Sequence, residues 1–290
     1  MSRMRAVMIG LLLLLLGAQP QRPPRIVTSI YPLASITRAV GGNRVSVSSL
    51  VPRGADPHNF ELTPSAAAAI EKADRIFLIG GPFDEWFAKW TSDRKRQRVV
   101  LLYEAFEDSL IPLGKTFNPH IWLDPLMARQ IAEIVAASLE DISPSDSSYF
   151  GKRLEEFKSQ IDSLDAWIRR NLARASLDEF VSLHPAWSYF ARRYGLEERA
   201  TIEISHEHEP SPRHVAHVIR ILKSMKSRCI VAEEFSNPAL AQSVADAAGA
   251  TVVMLDPLGG ADLEDRSSYI DLIRYNVNQL VIACTNKESR

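Results

Sequence analysis

Short apolar runs alternate with amphipathic stretches over most of the chain, and their spacing predicts strands and helices in turn. Residues 25–30 read as a first buried strand, followed by a helix over 32–40 that stops at Gly41 and Gly42. A second strand over 45–51 leads through a proline-bounded loop to Thr63 and Pro64, an N-cap with proline at the first helical position, and a helix to Lys72. Residues 75–79 and 99–103 are the next two strands, with a short helix over 84–90 between them. Asp124 and Pro125 then open a helix that runs to about Leu139. Strand and helix alternating at this interval mean βαβ units and a parallel sheet.

At residue 143 the alternation stops. Ser143, Pro144, Ser145 and Asp146 start a helix, and Phe150, Leu154, Phe157, Ile161, Leu164, Ile168 and Leu172 recur at steps of four and three. Such a stripe over about 28 residues makes a rod of roughly 42 Å, longer than a crossover helix inside one domain needs. The stripe would also suit a coiled-coil dimer, but it lies between two βα patterns and reads as a stiff strut. Beyond it the pattern resumes, with strands over 180–183, 200–204, 229–232 and 252–255 and helices over 186–194, 212–225 and 238–248. A final helix runs through Tyr275 to Ile282. The expectation is α/β: two parallel-sheet domains over residues 25–142 and 175–290, joined by a backbone helix over 143–174.

Charge narrows the partners. Thirty-four basic and 35 acidic residues leave a formal charge of −1, so neither nucleic acid nor an anionic membrane surface is implied. Residues 1–18 carry Arg3 and Arg5 ahead of an apolar run ending in Leu16, the charged and hydrophobic parts of a secretory signal peptide, with cleavage near Gly17 and Ala18. No cysteine follows that run to take a lipid. The mature chain is therefore expected to be exported, periplasmic, soluble and monomeric. In that compartment the two cysteines, Cys229 and Cys284, are expected to form a disulfide, which would tie the last helix to a strand of the second half.

Three histidines sit in restrained settings. His58 follows Asp56 and Pro57, His120 follows Asn118 and Pro119, and His184 precedes Pro185. A lone histidine is more often a hydrogen-bonded core residue than a ligand. Position changes the balance, because ligands of open parallel sheets bind at the carboxyl ends of the strands. His58 follows the second strand, His120 lies on the loop after the fourth, His184 ends the first strand of the second half, and Asp256 ends the strand over 252–255. Three imidazoles and a carboxylate make a tetrahedral set for zinc, with no position left for a catalytic water. Imidazole suits zinc better than it suits manganese.

These segments carry a resemblance. Leu50 to Pro52 and Asp56 to His58, Lys72 to Asp74, Pro119 to Pro125, His184 to Phe190, Glu209 to Pro212 and Leu255 to Leu258 resemble, in order and over nearly the whole mature chain, the zinc and manganese group of periplasmic solute-binding proteins that serve ABC importers. The resemblance implies two α/β domains bridged by a long helix, with one metal ion in the cleft between them. It implies the ligands His58, His120, His184 and Asp256 and an inner-membrane ABC permease as partner. Manganese-type members commonly place a glutamate at the third ligand, so His184 points to Zn2+, with Mn2+ as the alternative cargo. Many zinc members carry a histidine-rich loop before the second ligand; residues 104–117 here contain no histidine. His206, Glu207, His208 and Glu209 form a separate cluster that reads as a solvated turn or, less often, a second metal site. Glu233 matches a family glutamate expected to make a structural ion pair.

Two other functions compete with this reading. A zinc hydrolase would need an activated water and a base such as Glu233 or Glu234, and neither an HExxH motif nor a nucleophile elbow is present. A metal-dependent adhesin would bind matrix, as some relatives in the group do. No enzyme activity is expected.

Overall fold

The structure, a computed structural model, describes residues 22–88, 97–203, 210–234, 236 and 238–285. The expected signal peptide and the His206 cluster fall outside them. Two four-stranded parallel sheets organise these residues. In the first, β1 (Arg25–Thr28), β2 (Ser46–Ser49), β3 (Arg75–Leu78) and β4 (Val99–Leu101) lie in the order β2-β1-β3-β4. In the second, β7 (Glu179–Ser182), β8 (Glu197–Thr201), β9 (Cys229–Glu233) and β10 (Thr251–Leu255) lie in the order β10-β9-β7-β8. The two orders are one topology: each half places its first strand between its second and its third. All residues of β7 and β9 are buried, as strands covered on both faces must be.

The helices take the expected places. In the first half, α1 (Tyr31–Gly41), α2 (Pro64–Lys72), the short α3 (Glu85–Ala88) and α4 (Pro125–Ile142) follow their strands. In the second half, α6 (Ser188–Tyr194), α7 (Pro212–Ser224), α8 (Pro238–Ala248) and α9 (Tyr269–Thr285) do the same. Thr63 Oγ1 accepts the amide of Ala66 at 3.2 Å to cap α2, and Asp124 Oδ1 accepts that of Leu126 at 2.9 Å to cap α4. Between the halves runs α5 (Ser147–Ala175), 29 residues long.

Six residues of the predicted stripe, Phe150, Phe157, Ile161, Leu164, Ile168 and Leu172, are buried, and Leu154 is half-buried. The stripe packs on α1 and α4 from one half and on α9 from the other. Arg153 Nε donates to the carbonyl of Ala39 at 2.8 Å, and Arg274 lies 5.0 Å over the Trp167 ring. One apolar core therefore continues from Ile26 and Phe77 through Ile161 and Leu164 to Phe180 and Val277. A second cluster lies under α7 and α8 and holds Val181, Val218, Ile230 and Val244.

Two elements differ from expectation. The strand expected over 200–204 is β8 at Glu197–Thr201, an edge strand in which Arg199 meets Glu179 at 3.1 Å and Glu197 at 3.3 Å, while Glu198 accepts the hydroxyls of Ser182 and Ser188. Charged residues are what an edge strand tolerates, and they hid it from a pattern based on apolar runs. The loop expected after β4 is ordered as a 3₁₀ helix, Leu102–Ser109, and a two-stranded hairpin of β5 (Pro112–Leu113) and β6 (Thr116–Phe117). Gly114, at φ +60°, makes its turn. The expected disulfide joins Cys229 and Cys284, with Cα atoms 5.5 Å apart. Among the described residues, no helix is long and apolar enough to cross a membrane.

Candidate metal centre

Each histidine is held by its own local device. Past β2 the chain turns at Pro57–Asn59, a single 3₁₀ turn. Asp56 caps it, its Oδ1 accepting the amide of His58 at 2.9 Å and its Oδ2 accepting the Asn59 side chain at 2.6 Å. The Phe83 ring stands edge-on to the His58 imidazole, with centroids 5.1 Å apart. His184 lies two residues past the buried end of β7; its backbone is extended and N-caps the turn Pro185–Trp187. His120 N-caps the turn Ile121–Leu123, whose three residues are buried.

These devices bring the three imidazoles together from three separate loops. Each offers a nitrogen within 4.8 Å of the other two, and among the described residues this is the one such grouping of metal-ligating side chains. His58 Nε2 and His120 Nε2 are 3.2 Å apart. Zinc–nitrogen bonds of about 2.0–2.1 Å at tetrahedral angles place ligand nitrogens roughly 3.3 Å apart, so this pair already has the spacing of a shared ion. His120 and His184 are each only 3% exposed, whereas His58 is half-buried and forms the solvent side of the cluster.

Asn118 is the residue that reading the sequence missed. Its Oδ1 lies 2.8 Å from His120 Nδ1 and 3.0 Å from the His120 amide. Its Nδ2 donates to the carbonyl of Pro185 at 2.5 Å, which fixes which end of the amide faces the ring. An Nδ1–H donated to Oδ1 leaves the lone pair of His120 on Nε2, facing His58. One side chain thus sets the tautomer of His120 and ties it to the residue after His184. The one sequence signal was the placement of an amide two residues before a histidine, across a proline.

The rest of the segment 118–124 is fastened to the second half as well. Tyr189 Oη donates to the carbonyl of Asn118 at 2.7 Å, and Trp122 Nε1 donates to that of Pro257 at 2.8 Å. Tyr269 Oη donates to the carbonyl of Trp122 at 2.7 Å, and Arg193 pairs with the fully buried Asp124 at 2.9 Å. Burial nonetheless raises the Asp124 carboxyl above its ordinary value, with Arg193 opposing the shift. Replacing Asn118 by alanine is expected to weaken metal binding about 10- to 100-fold, the usual cost of a lost partner behind a ligand. Competition titration against a chromogenic chelator measures it, and an unchanged affinity would remove Asn118 from this role.

Asp256 is placed differently from the histidines. It does not join their grouping. Its Oδ1 accepts the amides of Leu258 and Gly259, both at 2.9 Å, and its Oδ2 accepts Arg266 Nη1 at 3.1 Å. Asn276 grips its backbone on both sides, accepting the amide at 2.7 Å and donating to the carbonyl at 2.6 Å.

The ion pair expected at Glu233 is not found among the described residues. Its carboxyl is fully buried at the end of β9, the charges near it are those of Glu198 and Glu203, and desolvation holds it well above the ordinary glutamate range. A carboxyl in that setting is kept neutral rather than paired. His214 Nε2 meets the carbonyl of Thr201 at 2.8 Å, and His217 is exposed.

Known proteins share this framework. The sequence model of the family described as zinc-uptake complex component A, periplasmic, matches residues 26–283. The zinc-binding lipoprotein AdcA of Streptococcus pneumoniae (strain ATCC BAA-255 / R6) is 28% identical over 273 residues, which cover 88% of this chain and 54% of that protein. The chain thus spans about half the length of that relative. The high-affinity zinc uptake system protein ZnuA of Bacillus subtilis (strain 168) is 24% identical over 273 residues, covering 88% and 86%. A crystal structure of ZnuA superposes with a TM-score of 0.79 at 27% identity, over 90% of this chain and 98% of that one.

Proposed function

The chain belongs to the family of the periplasmic zinc-uptake complex component A, and from that premise we propose that it is an extracytoplasmic receptor that binds one Zn2+ and delivers it to the permease of an ABC importer. The observation that carries the reading is the convergence of three imidazole nitrogens within 4.8 Å of one another, from three loops at the carboxyl ends of two sheets. His58, His120 and His184 are the proposed core of the site, and Asp256 is the proposed fourth donor. The set is neutral apart from one carboxylate and rich in imidazole, which favours zinc over manganese. No residue is assigned a catalytic role, since four protein donors fill the coordination that a hydrolytic zinc keeps open for water. In this reading the chain acts as a monomer, and the fastening of segment 118–124 to both halves limits how far they part when metal leaves.

The test is direct. Protein purified without chelator and analysed by mass spectrometry is expected to carry zinc at one ion per chain. Stripped protein is expected to gain about 2.7 kcal/mol of stability when zinc is supplied at 100 times its dissociation constant. An unchanged melting temperature on adding zinc would sink the receptor reading.

A further inference from the structure

Resting on that reading, we infer that Arg266 sets the metal preference of the site by holding the carboxylate of Asp256 to a single metal bond. The geometry around Asp256 is specific. Each carboxylate oxygen can accept about two hydrogen bonds or bonds to a cation. Oδ1 is filled by the amides of Leu258 and Gly259. The backbone there is fixed: Gly259 stands at φ +67°, and an added Cβ would press on the carbonyl of Arg266 at 2.7 Å. Oδ2 accepts Arg266 Nη1 and keeps one direction open. Asn276 fixes the backbone of Asp256, and the two amides on Oδ1 with Arg266 on Oδ2 oppose a turn of the carboxylate that would present its other oxygen. Asp256 can therefore offer a metal one oxygen, already shared with a guanidinium that draws off part of its charge.

Arg266 is itself poised between acceptors. Its Nη1 also meets Glu234 at 3.0 Å, its Nε meets Asp265 at 3.3 Å, and its guanidinium lies 4.2 Å over the Tyr275 ring. The Arg266 side chain is only 14% exposed, so the charge it shares with Asp256 is poorly screened by water. Zinc is content with three imidazoles and one weak oxygen donor in tetrahedral array. Manganese binds imidazole less well and depends on hard, charged oxygen ligands, so weakening the one carboxylate penalises manganese more than zinc. Arg266 is thus a positioning residue that discriminates through Asp256 without touching the ion.

The experiment compares dissociation constants for Zn2+ and Mn2+ in the whole mature protein and three variants. Arg266→Gln, which removes the charge, is expected to lower the preference for zinc about tenfold or more, in line with other groups that act from behind a ligand. Arg266→Lys keeps the charge and is expected to recover part of the preference. Glu234→Gln removes a competing acceptor from an exposed position and is expected to move the preference further towards zinc. The visible spectrum of the Co2+-loaded protein reports coordination independently: strong four-coordinate bands in the parent, weaker bands in Arg266→Gln. A ratio and a spectrum that do not change in Arg266→Gln, or Lys and Gln variants that behave alike, would overturn the role of Arg266 while leaving the receptor standing. A parent protein that binds neither metal would overturn both.

Discussion

Replacing His120 by alanine is expected to weaken zinc binding by two to three orders of magnitude. Structural zinc sites bind with about 10–16 kcal/mol, which shared among four donors gives roughly 2.5–4 kcal/mol each. His120 should not fall below that share. It is only 3% exposed, its tautomer is set by Asn118, and its Nε2 already lies 3.2 Å from that of His58. A water could fill the vacated position, but it would lack the orientation that the buried segment supplies. The same change at His206 or His208 is expected to cost far less, because neither belongs to the proposed set. Calorimetric titration of the variants side by side decides the matter, and equal losses at His120 and His206 would move the principal site to the latter cluster.

What could be read from the sequence follows from how local its causes are. The stripe of α5 was visible because helical periodicity is written into the residues themselves, and six of its members are indeed buried. The turns that hold His58 and His120 were marked by proline, which restricts the backbone wherever it stands. The two parallel sheets followed from alternation and interval. In contrast, β8 was misplaced because it opens on three charged residues, whose partners are Glu179 and the hydroxyls of Ser182 and Ser188 from other parts of the chain as well as Glu197 within the strand. The hairpin before Asn118 has strands of two residues each, too short to show alternation.

The three histidines that the fold brings together were legible as candidates at strand ends, but the contacts that hold them were not. Asp256 could be placed at a strand end, but nothing local said that Arg266 and two amides would occupy its oxygens. Asn118 could be seen beside His120, yet its hold on Pro185 depends on two halves of the chain meeting. Glu233 was expected in an ion pair because it matches a family glutamate. The fold instead leaves it among other carboxylates and raises its pKa. Contacts between residues far apart in sequence are what such reading loses.

Removing the disulfide is expected to cost stability heavily and metal affinity little. Cys229 and Cys284 are separated by 55 residues, and closing a loop of that length restricts the unfolded chain by about 4 kcal/mol at 25 °C. The bond anchors the end of α9 to the first residue of β9. The site lies at the other ends of the strands: from Cys229 to Glu233 is four residue steps, about 13 Å. Along α9 the residues that face the proposed site are Asn276, which holds the backbone of Asp256, and Tyr269, which holds the carbonyl of Trp122. Asn276 is eight residues from Cys284, about 12 Å of helix, and the buried Val277 and Leu280 secure the helix between them. Loss of the bond should therefore fray the last turn without loosening the grip on Asp256. Urea unfolding of the Cys229→Ala, Cys284→Ala double variant, with zinc titrations on the same samples, reads both quantities. A midpoint that does not move would show that α9 is held by packing alone, and an affinity that falls in step with stability would show that strain at the far end of the strands reaches the metal.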